Sequence, residues 1–114
     1  MYGISSIDEI SAPDLAQRLP EEELQLVDVR EPDEVAIANL PNFIHLPLSQ
    51  YADWSDHILN HLDPSRETIV MCHHGMRSAQ MCQWLKRQGF ERTKNLSGGI
   101  DAYARLVDST IPRY

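Results

Sequence analysis

Short apolar, β-branched runs alternate with helix-patterned segments along the chain, and the connections between them are brief. Parallel strands need crossover segments and helices need an apolar surface to cover, so this alternation predicts a parallel sheet covered on both faces. Residues 24–29, 43–46 and 68–71 read as buried strands, with a last short one at Asn95-Leu96. Ser11 caps a first helix: Pro13 fits its first turn, Asp14 meets its positive end, Leu15 and Leu19 share a face, and Pro20 stops it. Glu31-Pro32 opens a short helix through about Ala38. Tyr51, Trp54, Ile58 and Leu62 stand at helical spacing and predict an amphipathic helix over 51–62. A helix over 78–88 turns Met81, Leu85 and Cys82 inward and stops at Gly89, with Phe90 as the apolar contact beyond. After the Ser97-Gly98-Gly99 turn, a final helix presents Ile100, Tyr103, Ala104 and Val107.

The 114 residues suit one domain over 1–114, and a hydrophobic fraction of 42% suffices for a core. A net charge of −7 argues against nucleic-acid binding through a basic surface. The charge is divided unevenly: residues 1–65 carry −11 and residues 66–114 carry +4. The opening stretch lacks the basic and apolar regions of a secretory signal, and no apolar run approaches a membrane span. Two cysteines are too few for a disulfide framework, so the expectation is a reduced, cytoplasmic protein without membrane or nucleic-acid partners.

In a parallel sheet, chemistry gathers beyond the carboxyl ends of the strands. Cys72-His-His-Gly-Met-Arg-Ser78 occupies such a place, between the strand over 68–71 and the following helix. Three features favour a thiolate at Cys72: loop amides that form a nest, the positive end of the helix, and the charge of Arg77. Gly75 lets the loop turn tightly.

This loop and its flanks resemble the rhodanese family of sulfurtransferases. The resemblance rests on Leu26-Val-Asp-Val-Arg-Glu-Pro-Asp-Glu34, on residues 72–78, and on Asn95-Leu-Ser-Gly-Gly-Ile100, in that order along the chain. It implies an α/β, three-layer fold with a sheet of about five mainly parallel strands. It implies that Cys72 takes a sulfane sulfur from thiosulfate, a polysulfide or a persulfide, including a protein persulfide. The sulfur is held as a persulfide and passed to cyanide or a thiol. His73, His74, Gly75, Met76, Arg77 and Ser78 form the substrate-binding loop, with its amides stabilising the sulfur. Ser78 offers its hydroxyl to that sulfur or caps the helix. His73 and His74 face the entry and attract an anionic donor when protonated. Four residues separate Cys72 from Arg77, whereas the related phosphatases and arsenate reductases use five to cradle a tetrahedral oxyanion. The alternative to an enzyme is a non-catalytic rhodanese-like binding or regulatory module. The chain departs from the family at Ala38-Asn-Leu-Pro-Asn-Phe43, where relatives read Gly-His-Ile-Pro-Gly-Ala, and at Tyr103, where tryptophan is common.

The remaining chemistry-bearing residues have plainer readings. Cys82 lies among apolar helix positions and reads as structural. Adjacent histidines seldom aim at one ion, and no second cluster completes a tetrahedron, so neither a metal nor an organic cofactor is expected. Asp28 and Arg30 end a strand and support the site or form ion pairs, Arg30 with Glu34. Asp53, His57 and His61 form a solvated face. Lys86, Arg87, Arg92 and Lys94 share the basic half with the loop, which would give an acidic chain a positive mouth.

Overall fold

The structure is a computed structural model that describes residues 7–114. The first six residues, part of the opening stretch read for a targeting signal, lie outside it. Five strands, β1 (Asp8–Ile10), β2 (Gln25–Asp28), β3 (Ile44–His45), β4 (Thr68–Met71) and β5 (Thr93–Leu96), form one sheet in the order β1-β5-β4-β2-β3, and every pairing is parallel. The helices are α1 (Ala12–Arg18), α2 (Pro32–Ile37), α3 (Tyr51–Trp54), α4 (Ile58–His61), α5 (Met76–Arg87) and α6 (Gly99–Leu106).

Strand periodicity sorts the apolar side chains into two cores. Leu26, Ile69 and Met71 pack with Leu15, Ile100 and Tyr103 on the face covered by α1 and α6. Val27, Val29 and Val70 point the other way, with Trp54, Ile58, Met81, Leu85 and Phe90. Cys72 continues the alternation of β4 and joins this second core, beneath the start of α5.

Sequence and structure agree on α1, where the Ser11 hydroxyl accepts from Asp14 N at 3.2 Å. They agree on α2, where Glu31 and Glu34 form a reciprocal capping box. The C-terminus of α5 also follows expectation: Gly89 takes φ +98° and Phe90 N donates to Leu85 O at 3.0 Å.

Three elements differ from expectation. The helix expected over 51–62 is broken: α3 and α4 are separated by a 3-10 turn over Ser55–His57 and preceded by another over Leu48–Gln50. Trp54, Ile58 and Leu62 are buried as their spacing requires, but Asp53, Ser55 and Asp56 are residue types of low helix propensity and weaken a continuous helix. Tyr51 stays largely exposed, edge-on to Trp54 and Trp84. The helix expected from Ser78 begins two residues earlier, at Met76, so Arg77 and Ser78 belong to its first turn. Val107 lies beyond α6 and is exposed. At the family departure, Asn42 adopts φ +69°, a left-handed conformation that asparagine tolerates better than most residues.

Candidate active site

Order within the sheet explains why three separated segments meet. β2, β4 and β5 are adjacent, so the residues that follow each of them gather at one pole. Residues 72–75 occupy the centre, between Val29-Arg30-Glu31 and Ser97-Gly98.

The loop is fixed by its own carbonyls. Cys72 O accepts from Ile100 N at 2.9 Å and His73 O from Asp101 N at 3.1 Å, so the loop caps the first turn of α6. This approach is possible because residue 99 has no Cβ; one placed there would lie 2.3 Å from His73 O and 2.5 Å from Cys72 O. The glycine pair is thus more than a tight turn. Gly75, at φ +102°, turns the chain into α5.

Cys72 is 1% exposed and forms the floor of a cavity of about 210 Å³, walled by His73, His74, Met76 and Arg77. The Gly75 amide donates to its sulfur at 3.0 Å, and the Ser78 hydroxyl lies 3.2 Å away. Ser78 is fully buried, and its single proton can be donated to Cys72 Sγ or to Asn95 Oδ1, one at a time. Asn95 is oriented by its own amino group, which donates to Gly75 O at 3.0 Å and to Glu9 at 3.1 Å. Of the two readings of Ser78, the sulfur-facing one matches the geometry and the cap does not: the N-cap of α5 is Gly75, no side chain caps it, and Ser78 stands in the first turn facing the sulfur.

The expected electrostatics need correction. Arg77 is turned onto Glu34, with Nη1 to Oε1 at 2.6 Å and Nη2 to Oε2 at 2.9 Å. That pairing draws Glu34 down to about 2 and raises Arg77 above the ordinary arginine range. Glu34 is therefore not the carboxylate of Arg30. Arg30, wholly buried, pairs with Asp28 at 2.8 Å and also donates to Ala38 O and to the Tyr114 hydroxyl. The two residues reach the loop indirectly, through Tyr114. The Tyr114 hydroxyl donates to Glu34 Oε2 at 2.9 Å, and its ring stacks on His73 at 3.8 Å between centroids.

His73 and His74 do flank the entry, but burial first, and then the neighbouring His74, hold His73 below the usual imidazole range. Both effects disfavour the charged imidazolium that would attract an anion. Its Nε2 is buried without a hydrogen-bond partner among the described residues. Contrary to the expectation for adjacent histidines, ligating atoms of His73, His74 and Asp101 lie within 4.8 Å of one another. Asp101 is already engaged by Arg105 at 3.2 Å and Arg113 at 2.9 Å.

The four basic residues expected at the mouth are elsewhere. Arg92 and Lys94 approach Glu67, which also holds Arg18, near the opposite, amino-terminal ends of the strands. These partners draw Glu67 down to about 2. Lys86 and Arg87 stand at the far end of α5, roughly 15 Å along the helix from the loop. Cys82 is fully buried, and burial pushes its thiol up to about 12, in keeping with a structural role. A larger hollow of about 490 Å³ beside Tyr51, His57 and Trp84 contains no nucleophilic thiol. No helix among the described residues is long and apolar enough to cross a membrane.

Glu34, Asn95 and Gly99 lie inside the segments recognised in sequence, although their contacts were not foreseen. Tyr114 gave no local signal; its part depends on tertiary return of the chain.

The sequence matches the rhodanese-like domain family over residues 11–106. It is 47% identical over 93 residues to rhodanese-like/PpiC domain-containing protein 12, chloroplastic, of Arabidopsis thaliana, covering 82% of this chain but only 31% of that protein. A sulfurtransferase of Allochromatium vinosum is 36% identical over 104 residues, covering 87% of this chain and 90% of its own. The crystal structure of a rhodanese-like domain protein from Staphylococcus aureus superposes with a TM-score of 0.76 at 27% identity, over 95% of this chain and 99% of that one. The family match, the relative of like length and the shared parallel-sheet fold agree, and the chain belongs to the rhodanese-like family.

Proposed function

We propose that the protein is a sulfurtransferase that carries a sulfane sulfur as a persulfide on Cys72. The observation that carries this reading is the floor of the cavity, where a single thiol faces the Gly75 amide and the Ser78 hydroxyl. The Cys72 thiolate attacks the outer sulfur of the donor. A sulfur–sulfur bond forms as the donor's own breaks, and the electron pair leaves with sulfite or with an organic thiolate. Both hydrogen-bond donors oppose negative charge on sulfur, which stabilises the attacking thiolate and the persulfide anion. The outer sulfur then lies in a space of about 210 Å³, where an acceptor thiolate or cyanide removes it and regenerates Cys72.

His73, His74, Met76 and Arg77 wall the cavity, and Gly75 and Ser78 supply the hydrogen bonds. Asp28 and Arg30 support this arrangement from beneath, through Tyr114. The test is to incubate the protein separately with thiosulfate and glutathione persulfide, then weigh the intact chain and measure thiocyanate after adding cyanide. One added sulfur, absent in Cys72→Ser, is expected. No added sulfur from either donor, or undiminished transfer by Cys72→Ser, would overturn the proposal, and Cys72-dependent hydrolysis of an aryl phosphate would replace it with a phosphatase.

A further inference from the structure

The one guanidinium that walls the Cys72 cavity has no free charge to offer. Both terminal nitrogens of Arg77 are committed to the two oxygens of Glu34, and Glu34 is 17% exposed. Tyr114 fixes the carboxylate from its other side by donating to Oε2. Of the other arginines of this pole, Arg30 is paired with Asp28, while Arg105 and Arg113 share the one carboxylate of Asp101, are about half exposed to solvent and do not line the cavity. The wall is otherwise broad and weakly polar. Met76 is 79% exposed at the rim, and the rings of His74, His73 and Tyr114 follow one another at centroid spacings of 3.8 Å.

A thiosulfate donor brings two negative charges within one bond of the transferred sulfur and must leave as the sulfite dianion. A site that binds it well needs an uncompensated cation beside the cysteine. An organic persulfide leaves with one negative charge on its sulfur, any further charges lying several bonds away, and presents carbon to the wall, which Met76 and the stacked rings can cover. We propose that Glu34, by clamping Arg77, makes Cys72 selective for organic persulfides over thiosulfate. The proposal rests on the sulfur-transfer reading above. Glu34 acts as a positioning and charge-cancelling residue and does not touch the donor. The favoured step is Cys72–S⁻ + R–S–SH → Cys72–S–SH + R–S⁻, in which the donor's sulfur–sulfur bond breaks and its electron pair leaves on the organic sulfur.

The experiment measures kcat/KM with glutathione persulfide and with thiosulfate, for the wild type and Glu34→Gln. The wild type is expected to prefer glutathione persulfide by at least about a hundredfold. Glu34→Gln keeps the size of the side chain and removes its charge. It should raise kcat/KM for thiosulfate by about tenfold while changing the value for glutathione persulfide by less than about threefold. A second measurement needs no variant: the wild-type thiosulfate rate should not fall by more than about twofold from low to physiological salt, because no unpaired cation beside Cys72 draws the dianion in. A wild type that uses thiosulfate as well as glutathione persulfide, or a thiosulfate rate that falls steeply with salt, overturns the inference. So does a folded Glu34→Gln protein with an unaltered donor ratio. Both of the first two results leave Cys72 accepting sulfur and sulfur transfer intact; failure of both donors to add sulfur removes sulfur transfer and the selectivity with it.

Discussion

Replacing Gly99 with alanine should damage the Cys72 loop from the helix behind it. Gly99 sits at φ +64°, and a left-handed alanine costs about 1–2 kcal/mol before any contact is considered. The added methyl carbon would also lie 2.3 Å from His73 O and 2.5 Å from Cys72 O. Ordinary contact requires the loop to retreat by about 1 Å. That retreat stretches the hydrogen bonds from Ile100 N and Asp101 N, now 2.9 and 3.1 Å, beyond useful length. With each worth about 1 kcal/mol, the expected destabilisation is roughly 3–4 kcal/mol. Because the displaced atoms belong to Cys72 and His73, a shift of about 1 Å should also slow persulfide formation by about a hundredfold. Gly89→Ala is the internal control. It has the same handedness at φ +98°, but its methyl meets nothing within 4 Å, so only backbone strain of about 1–2 kcal/mol applies and persulfide formation is untouched. Urea denaturation measures the stabilities and time-resolved intact mass the sulfur loading. If Gly99→Ala is no less stable than Gly89→Ala and loads sulfur at the native rate, the close approach of α6 to the loop does not hold the site.

Arg30→Met leaves Asp28 charged, buried and without its guanidinium, and should cost about 3–5 kcal/mol in urea denaturation. Ser78→Ala removes one of the two donors facing the sulfur and should slow persulfide formation by roughly tenfold to a hundredfold, measured by intact mass, with Cys72 alkylation as a second readout. In acid, Glu34 and Glu67 remain charged in the folded protein down to about pH 2, whereas the unfolded chain takes up their protons near 4.5. Their contribution is therefore complete above about pH 4.5 and is lost as pH falls towards 2. Stability should rise with pH through that window, and Glu34→Gln should lower the slope by about one proton's worth, read from urea midpoints at several pH values. An unchanged slope would mean that Glu34 does not hold its charge through Arg77.

Much of this arrangement is legible along the chain because its strongest determinants are local. Apolar runs feeding turns, the Ser11 cap and the Gly89 stop are decided within a few residues, and β4 leads into Cys72 without interruption. The edge strand β1 escapes such reading: of Asp8, Glu9 and Ile10 only Ile10 is buried, and acidic residues suit an unpaired sheet edge. The pairing of charges is also hidden. Arg77 and Glu34 are 43 positions apart, and they meet because the ends of β2 and β4 are neighbours. Tyr114 is 80 positions from Glu34 and 41 from His73, distances over which no local pattern survives. The uneven charge of the two halves has a similar answer. Part of the basic surplus is absorbed by Glu67 at the other pole, so a count by chain segment says little about the field at Cys72.

The two cysteines differ in a way that makes the molecule its own gauge. Cys82 has no exposed surface and a thiol pushed up to about 12, so an alkylating reagent at neutral pH reaches it only through an opening of the core. Labelling of Cys82 in the Cys72→Ser protein therefore reports the population of that opening directly, without a chromophore or an attached tag.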